Sequence, residues 1–474
     1  MIYLINPPNL PDAVSNKDMM GGFGQLYGAD SPIKVPPIDL AYIAALLKKE
    51  KIEFNVFECL GRNWGLGNLL ENIKDTKPDL IGIRTSTPTF EWDLKIANSL
   101  KHEVKSKIIF FGPHVGIYAN EVIAYSSIDG IILGEPEFTF LEIAKKGFEN
   151  AEGVWFKRDG VVIKNQGRGF IEDLDSLPFP DWKMLPYKEY NLGKYLRNIK
   201  PCVTVLTSRG CPFDCGYCPY PVSQGKKWRA RSVANVINEL EYLEKTLGIK
   251  SVLFRDPEFT LRRERVVDIC NAMIDKGLSI KWRCETRVDT LDEELINLFA
   301  KAGCIGINVG VESVDAEVLK KIGRKVFPLK MAAQIINACK NNDIDAFAFF
   351  MLGLPGETID SSLKTIKYAK KLNPHLVQFT VATPYKGTKL WKWAKERGFI
   401  DELNLGKVNG FNIIMGNEDV SKEKLRDLVK YAYSYFNSIT LKEAILKNFR
   451  PFNFLRDLRE MITLRKQEKD ILSK

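Results

Sequence analysis

Residues 208–218 read Ser-Arg-Gly-Cys-Pro-Phe-Asp-Cys-Gly-Tyr-Cys. The C-x3-C-x2-C spacing of Cys211, Cys215 and Cys218 lets one loop present three thiolates to three corners of a four-iron cluster, leaving the fourth iron without a protein ligand. An iron with an open position can bind a further molecule. The residues before the loop, Val203 to Thr207, read as a buried strand, and a helix is expected from about Arg231. The loop therefore follows a strand, where α/β enzymes keep their chemistry. Structural zinc with Cys202 as fourth ligand is the alternative, since zinc takes four closed N or S donors. Against it, Cys202 lies on the strand itself and paired C-x2-C knuckles are missing.

From residue 200 onward β-α units repeat, with strands expected at 203–207, 251–255, 280–286, 305–311, 346–352 and 376–382. Residues two apart on a strand share a face. In Ile307-Asn-Val-Gly-Val-Glu312 the apolar set should pack on outer helices, leaving Asn308, Gly310 and Glu312 inside. In Trp282-Arg-Cys-Glu-Thr-Arg287 the charged set Arg283, Glu285 and Arg287 shares one face, and buried charges are costly unless paired or ligand-bound.

The cysteine loop and these strands resemble the radical S-adenosylmethionine (SAM) enzymes. The resemblance implies a partial (β/α)6 barrel in which the open iron chelates SAM and an electron from the cluster cleaves it to a 5′-deoxyadenosyl radical. It also implies that Tyr217 lies beside the adenine, and that Asp256, Arg287, Glu312 and Ser313 contact the ribose and carboxylate of SAM, with Glu258 as a weaker match. The reading of each charged residue as an internal salt bridge stays open. Gly353-Leu-Pro-Gly-Glu357 and Thr383-Pro-Tyr-Lys-Gly-Thr388 match the family's late glycine-rich turns, with Lys386 where proline is common.

Toward the N-terminus, short apolar strands at 2–5, 54–58, 80–84, 108–111 and 131–133 alternate with helical stretches such as 38–49. This pattern predicts a doubly wound parallel sheet that binds its ligand at the carboxyl ends of the strands, in loops carrying Asn6 to Asn9, Thr85-Ser86-Thr87, Gly112-Pro113-His114 and Gly134-Glu135-Pro136. Gly22-Phe-Gly-Gln-Leu-Tyr-Gly28 is not a dinucleotide fingerprint: its last glycine comes one place late and Ser31 to Pro37 follows it instead of a helix. Val35 to Leu47, Gly112-Pro-His114 and Leu133-Gly-Glu135 resemble the cobalamin-binding domain of cobalamin-dependent radical SAM enzymes. That group includes class B radical SAM methyltransferases and the anaerobic magnesium-protoporphyrin ester cyclase. The resemblance implies cobalamin contacts at Thr85, Ser86, Gly112, Pro113, His114, Gly134 and Glu135. The D-x-H-x-x-G motif is absent, since Leu100 and Gly112 stand two places before His102 and His114. His114 is expected to pack on the corrin edge, with direct cobalt ligation as the alternative.

The expected organisation is a Rossmann-like cobalamin-binding domain at 1–150, a hairpin with an Asp159-Gly160 turn and a proline-punctuated linker at 151–195, the radical SAM core at 196–395 and a helical C-terminal region at 396–474. The implied activity is methylation of an unactivated carbon through the 5′-deoxyadenosyl radical and methylcobalamin. Radical cyclisation or rearrangement is the alternative, and a non-enzymatic sensor a third reading that the complete triad disfavours. The cofactors are a [4Fe-4S] cluster, SAM and cobalamin, and the chemistry would be oxygen-sensitive.

The 474 residues, 45% apolar, suit two or three ordinary cores. No apolar stretch approaches the roughly 18 residues of a transmembrane helix, and the start of the chain lacks a signal peptide's charge. Nine cysteines without an even framework suit a reducing compartment, so a cytoplasmic location is expected. Residues 421–474 carry 13 Lys or Arg against 7 Asp or Glu, a share of +6 in the net charge of +10. Interspersed acids favour a solvated helical face, and no nucleic-acid partner is expected. The tail nonetheless motivates a small-molecule, lipid-like or peptidyl substrate bearing negative charge, and the cluster implies an electron donor such as flavodoxin or ferredoxin.

Overall fold

The computed structural model describes residues 1–400, 407–438 and 462–472. Nine strands form in the first third of the chain. They are β1 (Ile2–Asn6), β2 (Ala13–Asn16), β3 (Gln25–Gly28), β4 (Phe54–Glu58), β5 (Leu80–Arg84), β6 (Lys107–Phe111), β7 (Gly130–Ile132), β8 (Val154–Arg158) and β9 (Val161–Lys164). Seven of them make one sheet, in the order β4-β1-β5-β6-β7-β8-β9. The strands from β4 to β7 pair in parallel, and β1 and β5 are buried along their whole length, as strands covered by helices on both faces must be. The hairpin expected between the domains is instead the antiparallel edge of this sheet, β8 pairing with β7. Alternating apolar residues explain why: Val154 and Phe156 face inward and are buried, so the hairpin completes a core and does not bridge two.

The second sheet contains β10 (Cys202–Val205), β13 (Ser251–Phe254), β14 (Lys281–Arg287), β15 (Cys304–Glu312), β16 (Asp345–Leu352) and β17 (Leu376–Val381), all parallel and in sequence order. A two-residue ribbon of β11 (Ser208–Arg209) and β12 (Arg229–Ala230) lies between β10 and β13 in the chain. Six consecutive β-α units curl toward a barrel, yet the edge strands β10 and β17 do not pair, so the barrel stays open.

The stretch expected as a linker is not an exposed tether. Leu174, Leu177, Trp182, Leu185, Tyr190, Leu192 and Leu196 are all buried in one core continuous with residues of both sheets. Its prolines set the turns, while the apolar residues between them form a wedge that both sheets pack against. Of the expected C-terminal helices, Lys422–Asn437 packs beside the helix Ile359–Leu372, and 462–472 is helical. Residues 401–406, 439–461 and 473–474, including part of the basic tail, lie outside the described residues.

Candidate active site

The cysteine loop leaves β10 and is fixed before it reaches Cys211. Asp256, fully buried, accepts from the Thr207 amide at 2.7 Å, the Thr207 hydroxyl at 2.5 Å and the Ser208 hydroxyl at 2.6 Å. Gly210 has φ +82°, and a side chain there would run into the Lys227 carbonyl, so only glycine lets the loop pass under the strand that returns. Beyond it, Gly216 donates to the Ile322 carbonyl at 2.7 Å and accepts from the Leu390 amide at 2.8 Å. Cys211 is 8% exposed, while Cys215 and Cys218 are half-buried. One Nη1 from each of Arg287 and Arg324 lies 3.9 Å from the Cys215 sulfur, which places positive charge where thiolates and a cluster would carry negative charge. Among the described residues, no three His, Cys, Asp or Glu side chains converge on a single metal ion. Three cysteines that each take a different iron need no common centre, so the donor set fits a cluster.

Behind the loop a cavity opens into the barrel, lined among others by Tyr217, Cys218, Glu258, Arg287, Asn308, Glu312 and Arg324. Glu312 ends β15 with φ +65°, just past an irregularity in the pairing with β16. A non-glycine residue held left-handed is uncommon and marks a side chain aimed by its surroundings. Its Oε1 accepts from the Tyr217 hydroxyl at 3.0 Å and lies 3.6 Å from Arg324. Arg287 pairs with Asp289 at 2.8 Å and stacks 4.1 Å over Phe213 of the cysteine loop. Burial raises the carboxyl of Glu258, opposed by hydroxyls of Thr286 and Thr260.

Two expected SAM contacts lie elsewhere. Asp256 does not line the cavity: its oxygens are committed to Thr207 and Ser208, and Glu258, two places on, occupies the lining instead. Ser313 is fully buried, with its hydroxyl accepting from the Asp315 amide and lying 3.4 Å from that of Thr365, because the chain turns away from the lumen after Glu312.

A second cavity lies at the carboxyl ends of the first sheet. Thr85, Gly112, Pro113, Gly134 and Glu135 line it, together with Arg84, Asp39 and Tyr42. Gly21, Gly22, Gly112 and Gly134 bring bare backbone to its surface, a cradle suited to a broad, flat ligand. A side chain on Gly112 would strike the Thr85 carbonyl.

Ser86 and His114 do not reach this cavity. Ser86 is buried, bonded to Thr89 and pressed by Gly24. His114 is fully buried between Phe90 and Tyr118, with ring centroids 4.6 and 4.7 Å away, and its Nδ1 lies 3.2 Å from the Thr87 hydroxyl. Burial, helped by the charge of Lys386, pushes its pKa down to about 3. Starting a helix at Pro113 turns the next side chain back into the core, so neither the corrin-edge nor the cobalt-ligand position holds.

The ribbon at the base of the cysteine loop is bolted to the first sheet. Glu135 sits 2.9 Å from Arg229 and 3.2 Å from Arg209, and Arg209 also bonds Glu137 at 2.7 Å, all four side chains buried. The carboxyl ends of both sheets therefore face one another.

A segment the sequence left unassigned separates the two cavities. Asp18, Gly21 and Gly22 line the first-sheet cavity, whereas Met19, Met20 and Gln25 line the barrel cavity. Arg255 ties this partition to the barrel, donating to the Asp18 carbonyl at 3.0 Å and to Glu285 at 2.7 Å. Left-handed Met20, Gly21, Gly22 and Gly24 let it run tightly against Tyr220, Pro113 and Ser86. The glycine-rich Met19 to Gly24 was the available signal for such close approach. Arg324 carried no signal beyond its place after the Gly323 turn.

A model of the Radical SAM superfamily matches residues 205–369, and a model of the B12 binding domain matches residues 24–144. An uncharacterized methyltransferase of Pyrococcus horikoshii is 32% identical over 411 residues, covering 85% of this chain and 87% of that protein. The anaerobic magnesium-protoporphyrin IX monomethyl ester cyclase of Rubrivivax gelatinosus is 27% identical over 428 residues, covering 86% and 75%. The fold matches the radical SAM methyltransferase TsrM of Kitasatospora setae, solved with cobalamin and a [4Fe-4S] cluster bound, with a TM-score of 0.68 at 18% identity over 85% of this chain and 79% of that one.

Proposed function

Because the chain belongs to the radical SAM superfamily and carries a B12 binding domain ahead of that unit, we propose that it is a cobalamin-dependent radical SAM enzyme that methylates an unactivated carbon. The observation that carries this reading is a three-cysteine loop whose Cys218 and Tyr217 line a barrel cavity, set beside a glycine-lined cavity on the first sheet with Tyr220 and the segment 18–25 contributing to both. When bound, the cluster supplies the electron that cleaves SAM to a carbon-centred radical, and cobalamin supplies the methyl group that a saturated carbon cannot obtain by nucleophilic attack.

The chain's own residues hold and insulate these groups. Cys211, Cys215 and Cys218 hold the cluster, with Arg287 and Arg324 balancing its charge. Tyr217, Glu258, Arg287, Glu312 and Arg324 bind SAM, Glu312 being aimed by its left-handed backbone. Thr85, Gly112, Pro113, Gly134 and Glu135 cradle cobalamin, and the segment 17–25 forms part of the wall of both chambers. All nine cysteines are free thiols, which suits a reducing cytoplasm, and a low-potential carrier such as flavodoxin or ferredoxin would deliver the electron. No helix among the described residues is long and apolar enough to cross a membrane.

The test is anaerobic reconstitution with iron, sulfide and cobalamin, followed by SAM and a strong reductant, with 5′-deoxyadenosine and S-adenosylhomocysteine quantified by mass spectrometry. Both products are expected. Deoxyadenosine alone would favour radical cyclisation or rearrangement, the reading that similarity to the cyclase supports. Replacing any of the three cysteines with alanine should abolish the cluster and spare cobalamin binding. Loss of both together would refute the division of labour between the two sheets.

A further inference from the structure

The barrel cavity contains a hydroxyl that the protein does not use. Tyr385, on the turn after β17, is 1% exposed and lines the cavity, yet its hydroxyl has no hydrogen-bond partner among the described residues. The ring is not free to turn toward one. Its backbone is held by Thr383 and Thr388, with the Thr388 hydroxyl bonding the Tyr385 carbonyl at 2.7 Å, and the ring meets Phe23 edge-on at 5.5 Å. Leaving a buried hydroxyl unpaired is destabilising, and a ligand with an acceptor atom removes that cost.

The rest of the lining restricts that ligand. Glu258, Arg287, Glu312 and Arg324 are taken by SAM in the proposed function, and the one other acidic or basic side chain facing the cavity, Glu285, is paired with Arg255 at 2.7 Å. Lys386, next to Tyr385, is turned away to Glu121 at 3.0 Å and lies 4.2 Å over the Tyr118 ring. Beside these, Met19, Met20, Phe349, Met351 and Val381 give apolar lining, while Gln25, Tyr220, Asn308, Gln378, Thr380 and Thr383 give polar but uncharged lining. No described residue of the basic tail reaches it.

We infer that the end of the substrate entering the barrel is uncharged, and that Tyr385 orients it by donating a hydrogen bond to an oxygen acceptor. The expectation of an anionic substrate drawn to the basic tail is thereby replaced for the reacting end. This rests on the proposed function, and it makes Tyr385 a specificity residue for the carbon that loses hydrogen.

Two measurements on Tyr385→Phe test it. First, the hydroxyl has no protein partner, so its removal should leave the melting temperature of the apoprotein unchanged or raised; a clear drop would mean that it serves the fold, and would overturn the assignment. Second, wild-type and variant holoenzymes are given methyl-deuterated SAM, reductant, and organic and aqueous metabolite extracts. Fragmentation of the deuterated product should place the label on an uncharged part of the molecule. With that acceptor in hand, the variant should yield about tenfold less product per 5′-deoxyadenosine, with KM rising more than kcat falls. Label found on a carbon that bears or adjoins a charged group, or an unchanged ratio, overturns the inference while leaving the enzyme reading intact. Absence of 5′-deoxyadenosine from both proteins overturns both.

Discussion

Replacing Asp256 distinguishes a residue that shapes the cysteine loop from one that touches SAM. Its carboxylate is fully buried and accepts three bonds from Thr207 and Ser208. A hydrogen bond to a charged group contributes about 1.5–3 kcal/mol, which for three bonds sums to roughly 5–9 kcal/mol. Arg265 independently holds the Thr207 carbonyl at 3.0 Å and its hydroxyl at 3.2 Å, so part of the loop entry survives. Asp256→Ala should therefore cost about 4 kcal/mol. Asp256→Asn keeps one acceptor for the Thr207 amide and offers its NH2 to two hydroxyl oxygens, so it should cost about 1–2 kcal/mol. For a unit the size of the barrel these become drops of roughly 10 °C and 4 °C in melting temperature. The assay is thermal unfolding of the apoprotein by circular dichroism, paired with iron and sulfide per chain after reconstitution. The alanine variant should lose stability and cluster together, and the asparagine variant should retain most of both. An alanine variant that melts like wild type and holds full iron, but binds SAM weakly, would refute the placement of Asp256 in the loop anchor.

Arg324→Met should weaken SAM binding about 10- to 100-fold, because it strips Glu312 and Tyr217 of their buried cation; equilibrium binding to reconstituted protein measures this, and an unchanged Kd would remove Arg324 from the site. His114→Phe should leave the visible spectrum of bound cobalamin unaltered at neutral pH, since the imidazole lies in the core and not beneath the corrin; a spectral shift would contradict its position. Glu357 is fully buried, and burial raises its carboxyl from 4.5 to about 8, against amides of Gly353 and Leu354. The folded state thus keeps a proton that the unfolded chain releases. The resulting stability is complete below about pH 4.5 and is lost as pH rises toward 8, by at most about 5 kcal/mol. Glu357→Gln should flatten melting temperature against pH over this window, and an undiminished slope would reject the buried-acid account.

The parallel sheets were legible because their strands are apolar runs bounded by glycine and proline, and the alternation in Ile307 to Glu312 placed Asn308 and Glu312 in the lumen, where they lie. Side-chain direction at strand ends was less legible. Asp256 and Glu258 differ by two residues on an irregular turn, and which carboxylate faced the cavity depended on the hydroxyls of Thr207 and Ser208, some fifty positions away in the chain. His114 was misplaced for a similar reason: a chemically suggestive residue on a ligand-side loop was turned inward by a helix that starts one residue earlier. The hairpin forms around its Asp159-Gly160 turn as expected, but its place on the first sheet and the burial of the linker were not legible, because turn signals report where a chain bends and say nothing of what the residues between the bends pack against. Segment 17–25 has no period at all, so its place between two cavities could come only from tertiary structure.

The buried cluster of Arg209, Arg229, Glu135 and Glu137 bears on how such a protein can be assembled over evolutionary time. Domains joined by tethers can be shuffled singly, because each keeps its own surface. Here, docking either half against a partner without the matching charges would bury two carboxylates or two guanidinium groups unpaired, which costs several kcal/mol. Each half carries the other's counter-ions, so a gene fusion or swap that brought in a new barrel without matching arginines would yield a chain that resists closing. The physics thus favours exchanging the two halves together.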